Sequence, residues 1–112
     1  GLIAGFVYEM HLDEKRTGVK KSSIVRAVGQ FLDSDRHVIV RSSGQRTAER
    51  DIRPFVQTLV YDDETGTLRG IFSFTRQGGV KPIEILTSII GLSDSQARGV
   101  RVVKKQTVLI GG

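Results

Sequence analysis

Two runs of alternating apolar residues, separated by a short polar turn, constrain the fold of this chain more than any other feature. The first run, VQTLVYD, covers residues 56–62, and the second, TLRGIFSFT, covers residues 67–75. Apolar residues at every second position are typical of strands that bury one face. The acidic and glycine residues between the runs favour a turn, so the pair predicts a β-hairpin. Gly70 interrupts the apolar face of the second strand, which indicates a bulge or a close neighbour.

Patterns before the hairpin predict a strand, a helix and a second strand. FVYEMHL at residues 6–12 alternates as a strand does, and HVIVRSS at residues 37–43 is a short β-branched run. Between them, apolar residues recur at helical spacing from a serine cap at Ser22 or Ser23 to about Asp33. The polar segment GQRTAERD that follows the second strand contains a glycine, and we predict a loop there.

Patterns after the hairpin predict one more helix and a final strand. In KPIEILTSIIGL, Pro82 suits the first helical position, Glu84 lies in the first turn, and Gly91 suits the C-terminal cap. SDSQARG is predicted as a loop, and VRVVKKQTVLI as one strand or two short ones. The resulting order is β-α-β-β-β-α-β.

This order predicts an α+β fold. Two helices of this size cannot cover both faces of a sheet of about five strands, so we expect a two-layer sandwich with both helices on one face. The sheet is antiparallel or mixed, and the plan is similar to a ferredoxin-like fold with one added strand. The 112 residues suit a single domain. Because the first residue is Gly rather than Met, we expect a fragment of a longer polypeptide.

The composition excludes several classes of site. The chain has no cysteine, which removes disulfides, thiol catalysis, zinc–cysteine sites and iron–sulfur clusters, and fits a reducing, cytoplasmic compartment. No apolar run approaches the roughly 18 residues of a membrane span. His11 and His37 do not have the short spacing of metal ligands, and no nucleophile stands beside a base. We therefore predict no catalytic residue, no metal and no cofactor, and a chain that is not itself an enzyme.

The net charge of +5 is unevenly distributed. Residues 65–112 carry seven basic and two acidic residues, whereas residues 1–64 are balanced. This asymmetry indicates an anionic partner such as RNA, or simply a soluble surface. The candidate anion-binding residues are Arg53, Arg76, Lys81, Arg101 and Lys105. Basic residues on the last strand also protect an edge strand from aggregation, and the aromatic residues occupy predicted core positions rather than the basic run.

Two further segments each allow a structural and a ligand-binding interpretation. RQGG, before the second helix, either holds a phosphate on backbone N–H groups or provides unusual backbone angles for a connection. In ERDIRP, the charged residues Arg50, Asp51 and Arg53 precede Pro54, which marks the end of a loop. These residues either anchor that loop or contact an anion.

The segment from Val38 to Leu86 resembles the C-terminal part of the radical-SAM-linked domain family. The resemblance lies in a D-[IL]-R-P element, matched by Asp51, Ile52, Arg53 and Pro54, and in a later helix start, G-x-[VR]-[KR]-P-x-E-[IVL]-L. The latter is matched by Gly79, Val80, Lys81, Pro82, Glu84, Ile85 and Leu86. The N-terminal half of that family, rich in aromatic and His-Leu-Asp elements, is not seen here.

The resemblance implies an accessory domain that occurs beside radical SAM modules, often with a cobalamin-binding part. Since the chain has no cysteine, it cannot itself hold the iron–sulfur cluster of such an enzyme. We therefore expect a non-catalytic domain that binds an anionic substrate or partner, with RNA or tRNA as the favoured ligand. The alternative is a protein-interaction or structural module that contacts a radical SAM enzyme or the rest of the parent chain.

Overall fold

The computed structural model describes residues 2–76 and 78–111. Within them the chain forms β1 (Leu2–His11), α1 (Glu14–Thr17), α2 (Lys21–Leu32), β2 (Val38–Ser43), β3 (Arg46–Asp51), β4 (Val56–Asp62), β5 (Thr67–Thr75), β6 (Gly78–Gly79), α3 (Pro82–Ser88), α4 (Asp94–Arg98) and β7 (Arg101–Gly111). A 3₁₀ turn over Arg53–Phe55 precedes β4. No helix in these ranges is long and apolar enough to cross a membrane.

The main sheet has the order β4-β5-β1-β7, and the short β6 pairs with β5. Each strand pair of this sheet is antiparallel. The first strand therefore lies between two strands from the second half of the chain. Strands β2 and β3 pair only with each other and form a two-stranded ribbon outside the main sheet, which we call the ribbon. The fold is α+β, as predicted.

The helices pack on one face of the sheet. In the register of the strands, Met10 lies opposite Leu68, and Leu68 lies opposite Tyr61, so their side chains share that face. They join a single apolar cluster with residues from both longer helices and from the turn before β4. Its members include Ile24, Val28, Phe31, Ile52, Leu59, Phe72, Ile85 and Leu86. The apolar side of α3, with the buried Ile85 and Leu86, accordingly faces the core.

Gly70 has a close neighbour, which is one of the two explanations predicted for the missing side chain in the apolar face of β5. A Cβ atom at this position would lie 2.5 Å from the ring of Phe72. The Phe72 ring also stacks on Tyr8, with 5.6 Å between ring centroids. The glycine therefore leaves the space into which the largest buried side chain folds.

The prediction of a loop at GQRTAERD is wrong, because residues 46–51 form β3. Their polar composition hid the strand: every residue of β3 before Asp51 is exposed, so no apolar alternation is needed. Gly44, with φ of 62°, provides the tight turn between β2 and β3. The strand expected at residues 37–43 exists as β2, but it belongs to the ribbon instead of the main sheet.

Two short helices replace predicted connections. Helix α1 begins where the Asp13 carboxylate accepts a hydrogen bond from the N–H of Lys15, and α4 begins with a reciprocal pair of bonds between Ser93 and Gln96. Both helices are too short to show an apolar period and are instead defined by these caps. Helix α2 begins after Lys20, without the expected serine cap.

Helix α3 begins at Pro82 as predicted and ends at Ser88, earlier than expected. Gly91 nevertheless adopts a φ of 86°, and the N–H of Leu92 donates to the carbonyl of Leu86 at 3.0 Å. A glycine with positive φ shortly after the last helical turn is typical of helix C-termini.

Candidate ligand-binding groove

A groove of about 780 Å³ opens between the ribbon, the start of α3 and one end of the main sheet. We call it the ribbon groove. Its walls come from three parts of the chain that are distant in sequence: Phe6, Tyr8 and Phe74 from the sheet, residues 40–42 from the ribbon, and residues 78–84 from β6 and the start of α3. A volume of this size lies within the range of ligand sites in proteins.

Aromatic rings form the sheet side of the groove. Phe6 meets Tyr8 edge to face at a centroid distance of 6.2 Å, and Tyr8 in turn stacks on the buried Phe72. Phe74, at the end of β5, is 56% exposed. Phe72 and Tyr8 are therefore fixed by packing, while Phe74 offers an open ring surface to the groove.

One lysine contacts these rings, and a second lysine lines the groove. The ammonium group of Lys104, on β7, is 3.7 Å from the centroid of the Phe6 ring, which is a close cation–π contact. Lys81 lines the groove at the residue before α3. The sequence had suggested that aromatic and basic residues are separate, but β7 and β1 pair side by side and bring Lys104 to Phe6.

An ion pair joins the ribbon to α3 at the edge of the groove. Nε of Arg41 lies 2.8 Å from Oε2 of Glu84, and Nη2 lies 2.9 Å from Oε1. The same guanidinium group donates to the carbonyl of Gly79. Glu84 also accepts the backbone N–H of Lys81 at 2.9 Å, and so caps α3.

The electrostatic environment of Glu84 reflects these partners. Burial alone raises the pKa of its carboxyl group, but the hydrogen bonds from Arg41 and from the N–H of Lys81 outweigh burial and lower the pKa below its ordinary value. The pKa of Arg41 is raised, chiefly by the hydrogen bonds to Glu84. The pair is therefore ionised at neutral pH, and its two charges cancel.

The two glycines of RQGG have separate structural requirements. Gly78 has a φ of 117°, which disfavours any residue with a side chain. At Gly79 a Cβ atom would lie 3.0 Å from the carbonyl oxygen of Ser73 and 3.3 Å from the Phe74 ring. Gln77 of this segment lies outside the described residues. The connection thus uses glycine for unusual angles and close approach, and it also leaves the groove beside Phe74 open.

The DIRP element contacts the C-terminus of α2. Nε of Arg53 donates to the carbonyl of Ser34 at 2.9 Å, and the two terminal nitrogens donate to the carbonyls of Leu32 and Val56, each at 3.3 Å. The guanidinium group also lies 4.9 Å from the centroid of the Phe31 ring. The side chain of Arg53 is therefore engaged within the chain, where a cation suits the negative end of the helix dipole.

Asp51 fixes the turn that leads into this contact. Its Oδ1 accepts the backbone N–H of His37 at 2.8 Å and that of Arg53 at 3.1 Å. These two hydrogen bonds lower the pKa of the Asp51 carboxyl group below its ordinary value, and the bond from His37 has the larger effect. Pro54 lies inside the 3₁₀ turn, and the exposed Arg50 donates to the carbonyl of Glu49.

The other basic residues predicted to bind anions do not gather around one site. Arg101 lies opposite His11 at the far end of β7 and lines a separate hollow with Asp13 and Arg16. Lys105 is exposed at a bulge of β7, where the register with β1 shifts. Arg76 is exposed in the turn after β5. Among the five predicted residues, the ribbon groove includes Lys81.

The described residues contain no group of three or more His, Asp or Glu side chains that could hold a metal ion. Nε2 of His37 lies 3.1 Å from Oγ of Ser88, and its ring meets Phe31 edge to face. His11 lines two hollows that are separate from the ribbon groove.

Sequence reasoning missed the groove residues Phe6, Arg41 and Phe74, and the contact of Lys104 with the Phe6 ring. The alternating pattern correctly predicted that Phe6 and Phe74 lie on the core face of the sheet. It does not reveal where the helices stop covering that face. Lys104 belonged to the basic run, and its contact with Phe6 follows only from the pairing of β1 with β7.

Comparisons with known proteins identify no relative of this chain. No protein-family model matches the chain, and neither a curated protein nor a solved structure is similar to it at a significant level.

Proposed function

We propose that this chain is a non-catalytic accessory domain that binds an anionic ligand, most favourably RNA, in the ribbon groove. The observation that carries this proposal is the cation–π contact of Lys104 with Phe6, a ring that lines the ribbon groove together with the exposed Phe74 and with Lys81. Cations together with accessible aromatic rings are the combination that single-stranded nucleic-acid sites use. The remaining basic excess contributes a long-range attraction for anions.

The proposed contact residues differ from those predicted from the sequence. The Arg53 side chain is hydrogen-bonded beside the C-terminus of α2, and Arg101 lines another hollow. Neither residue therefore supports binding in the ribbon groove. We assign the phosphate contacts to Lys81 and Lys104 and the ring contact to Phe74. The non-catalytic part of the proposal rests on the sequence, which offers no nucleophile beside a base.

Two finer features belong to the same proposal. Association with a radical SAM system is supported by the motifs at residues 51–54 and 79–86 alone. A variant of the ferredoxin-like plan is supported by the antiparallel order β4-β5-β1-β7 with helices between β1 and β4 and between β5 and β7. The ribbon is then an insertion before the second strand of that plan.

The proposal is tested by fluorescence anisotropy with a labelled single-stranded RNA at low and moderate salt. We expect binding that weakens with salt, and we expect Lys81→Ala and Lys104→Ala each to weaken it and to lower the magnitude of the salt slope by about 0.7. Arg98→Ala, an exposed cation at the end of α4, is the matched control. Absence of RNA binding by the folded protein at low salt contradicts the proposal.

A second candidate function is protein binding through the exposed apolar side chains of β2. It is favoured by the exposure of Val38 (41%) and Val40 (64%), because exposed apolar side chains at alternate positions of one strand are suited to a protein contact. This function predicts that Val38→Ser weakens association with a partner polypeptide and leaves RNA affinity unchanged.

A further inference from the structure

We infer that the ribbon groove selects single-stranded RNA and holds it mainly by stacking a base on Phe74, with phosphate charge in a minor role. This inference rests on the proposed function and specifies its ligand. Its two premises are the small net charge of the groove and the open apolar surface inside it.

The charges that line the groove nearly cancel. Arg41 is paired with Glu84, and the charges of Lys81 and Asp94 cancel in the sum over the lining residues. Lys104, which contacts the Phe6 ring of the groove, adds one positive charge. Proteins that bind duplexes through their backbones typically neutralise about 6–10 phosphates. With two lysines available, charge alone cannot hold a nucleic acid here with comparable strength.

The apolar surface of the groove is unusually open. Val40 on the ribbon is 64% exposed and Phe74 on the sheet is 56% exposed, and both line the groove. Gly78 and Gly79 have no side chains that would fill the space between them. A planar ring fits on Phe74, and stacking of one base on an aromatic side chain contributes about 1–3 kcal/mol.

A duplex cannot use this surface without breaking its own structure. Its bases are already stacked on one another, and extracting one costs a few kcal/mol. The gain from one base on Phe74 is of the same size as this cost, so a duplex has no net advantage. A single strand, whose bases are partly unstacked, gains from the contact directly.

The test compares a labelled single-stranded oligouridylate with a blunt-ended RNA duplex that has the same number of phosphates. We expect tighter binding of the single strand, with a salt slope near −1.4 for two phosphate contacts. Phe74→Ala should lower its affinity roughly 5- to 100-fold, while Phe74→Trp should preserve it. Because Phe74 is exposed, these variants should fold, and circular dichroism and the thermal midpoint verify that they do.

Val60→Ala is the matched control. Val60 is 61% exposed, and its register with Arg69 places it on the sheet face opposite to Phe74, so affinity should not change. Equal binding of the duplex, an unchanged affinity of Phe74→Ala, or a slope steeper than about −4 overturns the inference and leaves the anion-binding function standing. If neither RNA binds at low salt, the proposed function fails as well. Binding of an apolar peptide in the absence of RNA binding supports the protein-binding alternative.

Discussion

Arg41 and Glu84 form an ion pair in which both oxygens of the carboxylate face nitrogens of one guanidinium group, although the residues are 43 positions apart. Arg41 lies in the ribbon and Glu84 in the first turn of α3. The carboxylate is largely buried, with the Glu84 side chain 15% exposed, and it also caps its own helix. This pair therefore fixes the ribbon against α3 and sets the width of the ribbon groove.

Removing either partner of this pair should destabilise the protein. We expect Arg41→Ala and Glu84→Ala each to lower the free energy of unfolding by about 1–3 kcal/mol, because a partly buried charge loses its hydrogen bonds. Urea denaturation measures the effect, and a double-mutant cycle separates the pair from the capping role of Glu84. Arg46→Ala, an exposed arginine of the ribbon, should change stability by less than about 0.5 kcal/mol. A coupling energy of zero between Arg41 and Glu84 contradicts this prediction.

Arg53 should be important for stability and not for RNA affinity. Arg53→Ala removes hydrogen bonds to three backbone carbonyls, but water reaches those of Leu32 and Ser34, so we expect a loss of about 1–2 kcal/mol. Arg53→Lys should recover less than half of the loss, since an ammonium group cannot reproduce the planar fork. Denaturant unfolding and anisotropy check the two parts. Arg50→Ala is the control and should have little effect; a weakened RNA affinity of folded Arg53→Ala would refute the assignment.

Stability should decrease in acid. The pKa values of Asp51 and Glu84 are both lowered in the folded protein, so the unfolded chain binds protons more readily. Their contribution is complete above the ordinary carboxyl pKa of about 4 and is lost as the pH falls through the lower folded values. Urea midpoints measured across this range should therefore fall, and less steeply in Asp51→Asn and Glu84→Gln. Equal slopes in the variants and the parent protein would show that other carboxylates dominate.

Two glycine substitutions should have opposite effects. Gly70→Ala places a methyl group against the Phe72 ring, so we expect a loss of about 1–3 kcal/mol. Gly29 lies within α2, and a Cβ atom added there would meet no heavy atom within 4 Å other than those of its own helix backbone. Gly29→Ala should therefore stabilise the protein by about 0.5–1 kcal/mol. Thermal midpoints compare the two variants. A neutral Gly70→Ala would mean that the Phe72 ring moves freely, which its stacking on Tyr8 opposes.

The hairpin, both longer helices and the last strand were predictable because each carries a local pattern. Apolar alternation predicted the bounds of β4 and β5, Val56–Asp62 and Thr67–Thr75. The ribbon strand β3 was not predictable in the same way, since both of its faces are exposed and the burial signal is absent. Its partner β2 is β-branched, which identifies a strand but not the sheet that contains it.

The groove was less predictable than the fold. Lys81 was a candidate because it precedes a helix, but the contacts of Lys104 with Phe6 and of Arg41 with Glu84 join distant parts of the chain. Arg53 illustrates the reverse case. Its sequence context suggested an anion contact or a loop anchor, and its three backbone acceptors became apparent only when α2 and β4 were placed side by side.

The position of β1 between β5 and β7 also has a consequence for synthesis on the ribosome. The first strand pairs along its length with residues 67–74 and 101–111, so neither neighbour exists when β1 leaves the exit tunnel. One edge of β1 must remain unpaired until residues 101–111 have been translated. Non-local pairing of this kind slows folding and prolongs the exposure of strand edges. A nascent chain truncated before Arg101 should therefore leave this edge of β1 without its partner strand, whichever ligand the protein binds.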